Sequence, residues 1–568
     1  MILKRIGLSA LFVALAAAQQ QNITYNVITS PAANDMSVFV VVDNVTYPLS
    51  TNSSESLLYS GKAPIAAHGY YYAIMDNTTM NATEAFIRSP THDNTVNEFF
   101  NRSSNVYSLT TLPQLYEPLH EIDRLDSPLH ILNQIPTIHL WGNESAIDNM
   151  HERQTEDITI RLNMTYYSLN DTQTFKDVKV SLAGRSSRFA PKLSYSLKMP
   201  KKDKQSLYGY KNLKLRASAY DPSYIRECIA YSTLNAVGIP ASGYSYVRLF
   251  INKRPIGLYG LIETFQDPWL ANEFDHGNPH YKPGVLYQGQ ALAMNESIPL
   301  FSDLSYYENR TWYTMGQYKI KAGIQGDETS KDYKDLQEFT KFIDSANKST
   351  TTKEWEKHIN TVGFIRAMAI ENLLGFSDAY MTLADNFYVY SNPKEDGKMT
   401  YIPADLDTTI GISLFDKRLM LSGNYSEHPG FHIRPLTKKL FANDHLLNSL
   451  QYTMYNLTRS LINPNVMFPF IDSVVNMIHP DVEWDQSLPR VAKAIKFPFS
   501  VLNSTDRMNT TMNFIPSGFT FNFTSLSQTF DQAINDSIDS TVLSSVKGFI
   551  SQKSSNILEF YKSYSFII

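Results

Sequence analysis

The run Phe376 to Gly411, FSDAYMTLADNFYVYSNPKEDGKMTYIPADLDTTIG, gathers oxygen-donating side chains at the ends of two apolar strands. Asp378 precedes a short polar break, Asp385 and Asn386 stand at the mouth of FYVYS, and Asp405 and Asp407 follow MTYIPA beyond a turn. Such a hairpin brings its hard oxygen ligands to one end. Magnesium and manganese take oxygen ligands, and a phosphate carries more negative charge than protein donors alone can balance. Carboxylates beside a carboxamide therefore suit a metal-nucleotide site.

Other chemistries share these letters. A D-x-D pair holds manganese and a sugar nucleotide in glycosyltransferases, and D-x-D-x-T, matched by Asp405, Asp407 and Thr409, belongs to haloacid-dehalogenase phosphatases. The phosphatase pattern needs a strongly apolar strand before it, which MTYIPA supplies only weakly, and a downstream acidic pair, which is missing. An isolated D-x-D is also often a solvated turn at a strand end. A basic cluster, Arg185, Arg188, Lys192 and Lys198, lies within VKVSLAGRSSRFAPKLSYSLKMP and reads by itself as a surface turn. Glu263 ends the apolar run GLYGLIE, where a buried salt bridge to Arg226 or Arg248 is the bland alternative to a ligand role. Cys228 in YIRECIAYS reads as a buried structural thiol. The chain has neither a H-E-x-x-H zinc pair nor a G-x-S-x-G nucleophile elbow.

The elements that must position these residues form an α+β chain. From about Gln21 to Ser89, short β-branched and aromatic runs broken by Asp, Asn, Gly and Pro predict a β-sandwich spanning 19–92. Its Tyr70-Tyr71-Tyr72 run suits strand packing better than sugar stacking. A polar, proline-spaced stretch over 93–134 reads as a linker and packing arm. The remainder, 135–568, opens with strands. A helix follows, started by Asp221-Pro222 and stopped by Gly238, then a hairpin turning at Asn252 to Pro255. It becomes largely helical on either side of the acidic hairpin. Two lobes with a ligand cleft between them are expected.

With 568 residues, 43% of them hydrophobic, the chain can bury more than one core. A net charge of −5 and scattered basic residues argue against a nucleic-acid partner. The start MILKRIGLSALFVALAAAQQQ reads as a signal peptide over 1–18, with an apolar run too short to span a bilayer. Roughly eighteen Asn-X-Ser/Thr triplets, Asn22, Asn44, Asn163, Asn309, Asn522 and Asn535 among them, support secretion and N-glycosylation. The C-terminal SSNILEFYKSYSFII has no lipid-anchor pattern.

Four blocks, AGRSSRFAPKLSYSLK, LKLRASAYDPSYIRE, FINKRPIGLYGLIE and SDAYMTLADNFYVY with YIPADLDTTIG, resemble in order and spacing the spore-coat CotH kinase family. This is an atypical branch of the protein-kinase fold, and the secretory start and glycan density resemble its fungal, mucoralean branch. The resemblance implies a two-lobed kinase-like domain over 135–568 that transfers phosphoryl groups from ATP to protein Ser/Thr with magnesium or manganese. It implies Asp378 as the catalytic-loop aspartate and Asn386, Asp405 and Asp407 as metal ligands. Lys192 is implied as the phosphate-pairing lysine, with Lys198 as the alternative, and Glu263 as an acid of the lobe interface. Arg185, Ser186 and Ser187 would stand where ordinary kinases have a Gly-rich loop; neither G-x-G-x-x-G nor H-R-D occurs here. A spore-coat or cell-surface location follows, as does a competing reading: a surface adhesin or invasin that binds a host receptor without turnover.

Overall fold

The computed structural model describes residues 21–31, 36–76, 80–200, 205–295, 298–324, 326–495, 528–536 and 543–564. The expected signal segment and Asn522 lie outside these residues. The chain divides into two compact units, Met1–Asn105 with Ser168–Asp171, and Val106–Tyr167 with Thr172–Ile568.

In the first unit, β1 (Asn22–Ile28), β2 (Ser37–Val42), β3 (Val45–Leu49), β4 (Leu58–Pro64), β5 (Tyr70–Met75), β6 (Met80–Thr83) and β7 (Glu98–Phe99) form two sheets, ordered β4-β1-β7 and β3-β2-β5-β6. Alternation sends Ile23, Tyr25 and Val27 of one sheet and Val38, Val40, Val42, Tyr70 and Tyr72 of the other into one shared core. Tyr70 and Tyr72 are therefore packing residues. Asp43 and Asn44 turn β2 into β3 with φ of 45° and 68°, the left-handed pair that a two-residue hairpin requires. The unit runs past residue 92 because β7 pairs with β1 and Glu98 is held inside by Arg88 at 3.0 Å and the Tyr72 hydroxyl at 2.7 Å.

The second unit opens with β8 (Thr137–Trp141), β9 (Thr159–Tyr167), β10 (Thr172–Ala183), β11 (Ser194–Lys198), β12 (Asn212–Arg216), β13 (Ser245–Ile251) and β14 (Arg254–Glu263), closed into a barrel in the order β10-β11-β12-β14-β13-β8-β9. Tyr195 and Leu197 of β11 and Leu213 and Leu215 of β12 fill its core. Strand alternation then leaves Ser196, Lys198, Lys214 and Arg216 for the opposite face. The expected hairpin β13–β14 turns on Asn252 and Lys253, both at positive φ. Helix Arg226–Ala236 begins where Asp221 accepts the Ser223 and Arg226 amides at 2.9 and 3.0 Å. It stops at Gly238, whose φ of +65° and approach to Glu117 O leave no room for a Cβ. Cys228 is buried on this helix, as expected, and burial pushes its thiol up to about 12.

Beyond the barrel, β15 (Leu286–Gly289), the hairpin β16 (Leu292–Asn295) with β17 (Ile298–Phe301), β18 (Tyr318–Ala322), β19 (Phe387–Asn392) and β20 (Lys398–Pro403) are interleaved with helices. Four of these strands make a sheet ordered β18-β15-β19-β20. In the part expected to be largely helical before the acidic hairpin, EWEKHINTVGFIRAMAIENLLG does not form one continuous helix. The Asn360 side chain accepts the Gly363 amide at 2.8 Å and caps a separate helix, Thr361–Leu373. Helix Pro464–Ser487 carries Pro469 and Pro480 in its interior and is invisible to a reading that treats proline as a stop. Among the described residues no helix is long and apolar enough to cross a membrane.

Candidate active site

The β19–β20 ladder pairs Phe387 with Pro403, so the residues before one strand and after the other meet at the same end. Ala404 N donates to Asn386 O at 3.0 Å, fixing Asn386 beside Asp405. Ala384, Asn386 and Asp405 all adopt left-handed φ, of 51°, 54° and 54°. Three non-glycine residues in this sparse region within one turn system are the kind of stored strain that clusters at functional sites. The Asn386 side-chain amide donates to Asp378 O at 3.2 Å, which ties the Asp378 segment to the hairpin mouth. Asp385 accepts Arg185 at 2.6 Å and the Asn386 amide at 3.0 Å.

Two cations that the motifs did not single out meet the acidic pair. One terminal nitrogen of Arg216 lies 2.7 Å from Asp405 and 2.9 Å from Asp407, while its Nε holds Glu227 of helix Arg226–Ala236 at 2.8 Å. Lys214 Nζ stands 3.4 Å from the other Asp405 oxygen. The alternation L-K-L-R of β12 carried the signal for both. Burial opposes the charge on Asp405, but Arg216 and Lys214 hold it well below the usual carboxylate range. Burial and the neighbouring charges of Asp407, Asp385 and Asp405 push Asp378 well up. Asp407 is raised too, by burial and by Asp405 against the pull of Arg216. Burial outweighs Arg216 at Glu227, which is pushed up to about 7.

A cleft of about 780 Å3 lies between the outer face of the barrel strands and the sheet that carries the hairpin. Of the residues expected at the site, Arg185, Lys198, Glu263, Asn386 and Asp405 line it. Asp407 does not line it, but shares one Arg216 nitrogen with Asp405, which does. Ser186 and Ser187 lie in the 3-10 turn Ser186–Phe189, with Ser186 O accepting the Tyr220 hydroxyl at 3.0 Å. Arg188 serves as a staple, donating to Leu182 O and Asp157 at 2.7 Å each. Lys192 does not reach the cleft. Its Nζ is buried 2.6 Å from Leu258 O and 2.8 Å from Asp485 Oδ1, because the loop before β11 points it at helix Pro464–Ser487.

Glu263 has different partners from those its alternative reading named. Arg226 pairs with Asp221, and Arg248 with Asp481. Glu263 instead accepts the Ser242 hydroxyl and the Gly243 amide, the latter at 2.7 Å, with His130 at 3.4 Å. Burial works against its charge, yet His130 and Ser242 hold it down to about 2.

The carboxylates and the Asn386 carboxamide at the hairpin mouth offer oxygen donors, as magnesium or manganese requires, and a bound cation relieves the repulsion that adds to burial in raising Asp378 and Asp407. Among the described residues no three His, Cys, Asp or Glu side chains converge on one point, and one Arg216 nitrogen lies within ion-pair distance of both Asp405 and Asp407. His428 and His432 have the i, i+4 spacing of a zinc pair, but His428 is buried and, among the described residues, no third His, Cys, Asp or Glu joins them.

Barrel, hairpin and cleft together define an α+β protein in which Arg185, Lys198, Lys214 and Asp405 line one cavity. The chain belongs to the CotH kinase family: the family model described as "CotH kinase protein" matches residues 180–494. Among its relatives is "Invasin CotH3" of Rhizopus delemar, 25% identical over 86% of this chain and 79% of its own. "Spore coat protein homolog 1" of the same organism is 24% identical over 85% of this chain and 76% of its own. An "Inner spore coat protein H-like protein" of Bacillus subtilis is 39% identical over 77 residues, 14% of this chain and 24% of its own.

Proposed function

We propose that this protein is a secreted, N-glycosylated kinase of the cell surface or spore coat that transfers the γ-phosphoryl of ATP to serine or threonine of secretory-pathway or coat proteins. In this reading a β-sandwich precedes a two-lobed, kinase-like body. The observation that carries it is the convergence of Asp405, Asn386, Lys214 and Arg185 on the cleft, with Asp378 tied in through Asn386. A nucleotide also fits the polar atoms left over. Thr264 Oγ1 and Gln288 Oε1 are buried without hydrogen-bond partners and line the cleft beside the rings of Phe265 and Tyr388. An aromatic wall flanked by unsatisfied polar atoms suits a heteroaromatic base.

Asn386, Asp405 and Asp407 would hold a divalent cation, which when bound neutralises charge on the phosphate oxygens. Asp378, raised by its surroundings, would accept the proton of the attacking hydroxyl. Lys214 and Lys198 would pair with phosphates, the role first assigned to Lys192, and Arg216 would hold the acidic pair in register with Glu227. Phosphoryl transfer needs little else from the protein than alignment and charge neutralisation. Exposed Asn22, Asn44, Asn309 and Asn535 are available as glycan sites.

Transfer of labelled phosphate from ATP to coat-protein or casein-type acceptors with magnesium or manganese tests this reading. Asp378→Asn and Asp405→Asn should abolish transfer while leaving circular dichroism unchanged; transfer at the parental rate in either variant refutes it. The names of the relatives favour a second reading, an adhesin that binds a host surface receptor without turnover. Receptor binding that survives Asp405→Asn, in a parent that transfers no phosphate, would select it.

A further inference from the structure

We propose that Lys319 and Lys321 of β18, facing Lys198 of β11, form a second anion subsite in the cleft, distinct from the Lys214–Arg216–Asp405 cluster, that takes a phosphate or carboxylate group. The β15–β18 register shifts between Tyr287/Ile320 and Leu286/Ala322, so Lys321 sits at a bulge, and it lines the cleft together with Lys319. The register places Lys319 opposite Gln288 and Gln288 opposite Tyr388, so one row runs across the sheet. Lys319, Gln288, Tyr388, Lys321 and Lys198 all line the cleft.

The charges here are not balanced as they are elsewhere in the cavity. Arg185 is neutralised by Asp385, and Arg216 by Asp405, Asp407 and Glu227. Among the described residues no carboxylate stands within ion-pair distance of Lys319 or Lys321. The acid that interacts with Lys321, Glu328, is engaged by the Tyr333 hydroxyl and by Ile320 N at 3.4 Å. Lys321 is half-buried, and burial, then Lys319 and Lys198, push it down to about 8. Gln288, in the middle of the row, has its Oε1 buried without a partner. Lys319 and Lys321 thus lack an ion-pair partner among the described residues, beside a Gln288 oxygen that lacks a hydrogen bond. Gathering like charges in a half-buried cavity costs stability that an incoming anion returns.

Two sources can supply such an anion: the polyphosphate of the nucleotide, or an acidic or phosphorylated side chain of the protein substrate. The choice between them rests on the kinase reading; the subsite itself does not. The test is calorimetric titration of the full chain at low salt with inorganic tripolyphosphate and, separately, with a glutamate- and phosphoserine-rich peptide. The parent, a Lys319→Met/Lys321→Met double variant and a Lys321→Arg variant are compared. The double variant should lose about tenfold or more in affinity for at least one probe, a loss expected when charge-assisted contacts are removed. Its melting temperature should hold or rise, since repulsion is relieved, and Lys321→Arg should bind like the parent. Loss for tripolyphosphate assigns the subsite to the nucleotide, and loss for the peptide assigns it to the substrate. Equal binding of both probes by parent and double variant, or binding of neither by the parent, overturns the proposal. Failure of the kinase reading appears separately, as absent transfer in a parent that still binds the probes.

Discussion

Replacing Lys192 by methionine separates a structural lysine from a phosphate-binding one. Lys192 and Asp485 have side chains only 6% and 0% exposed, with Nζ 2.8 Å from Oδ1, and the ammonium lies over the rings of Tyr259 and Tyr224 at 4.7 and 5.1 Å. Breaking a buried pair by removing one partner costs about 3–5 kcal/mol. Here Asp485 keeps Arg490 at 3.1 Å, the Tyr224 hydroxyl at 2.7 Å and the Leu258 amide at 3.0 Å, so the loss should sit near the lower bound. At about 2 °C per kcal/mol, the lower end of the scale for large domains, melting should fall by about 6 °C. Thermal unfolding and nucleotide affinity, measured on one preparation, decide the matter. Lys192→Met should melt early yet bind ATP within about threefold of the parent, because no ligand-facing atom has changed. Lys214→Met, which removes a cation from beside Asp405, should melt within a degree or two of the parent and lose about a hundredfold in transfer rate. A Lys192→Met protein with unchanged melting and lost nucleotide affinity would refute this assignment.

Further outcomes follow from buried groups. Burial pushes Lys553 down to about 7, with its Nζ donating to Met420 O at 2.9 Å and Ser422 O at 2.8 Å. Between that value and the ordinary lysine range near 10 the unfolded chain binds more protons than the folded one, so this group makes stability rise with pH across the window. The difference in melting temperature between parent and Lys553→Met should therefore shift in the parent's favour from pH 7 to pH 9.5; a flat difference curve contradicts it. Cys228, at about 12, should resist iodoacetamide at pH 8 in the native protein and react once unfolded in urea. Rapid native alkylation would show that helix Arg226–Ala236 opens. Asn360→Ala should cost about 1 kcal/mol through loss of the cap on Thr361–Leu373, read as a shift in denaturation midpoint.

Much of this protein was legible before folding because its signals are local. The β19–β20 hairpin, the helix begun by Asp221 and stopped by Gly238, and the Asn252-Lys253 turn each depend on a few adjacent residues whose backbone preferences allow little else. So did the oxygen-rich character of the hairpin mouth, which strand ends and residue types determine without knowledge of what faces them. What each charged side chain meets is a different matter, because its partner lies far off in the chain. Asp485 is 293 positions from Lys192, counted from their residue numbers, and its capture of that lysine depends on where helix Pro464–Ser487 packs. Likewise Asp405 meets Lys214 across 191 positions, and only closure of the barrel brings β12 over the hairpin. Sequence alone therefore determined the kinds of atoms at the site and the strands that carry them. Tertiary structure decided which of several equivalent lysines is buried as a brace and which faces the cleft, since burial and distance are properties of the packed chain and not of any segment of it.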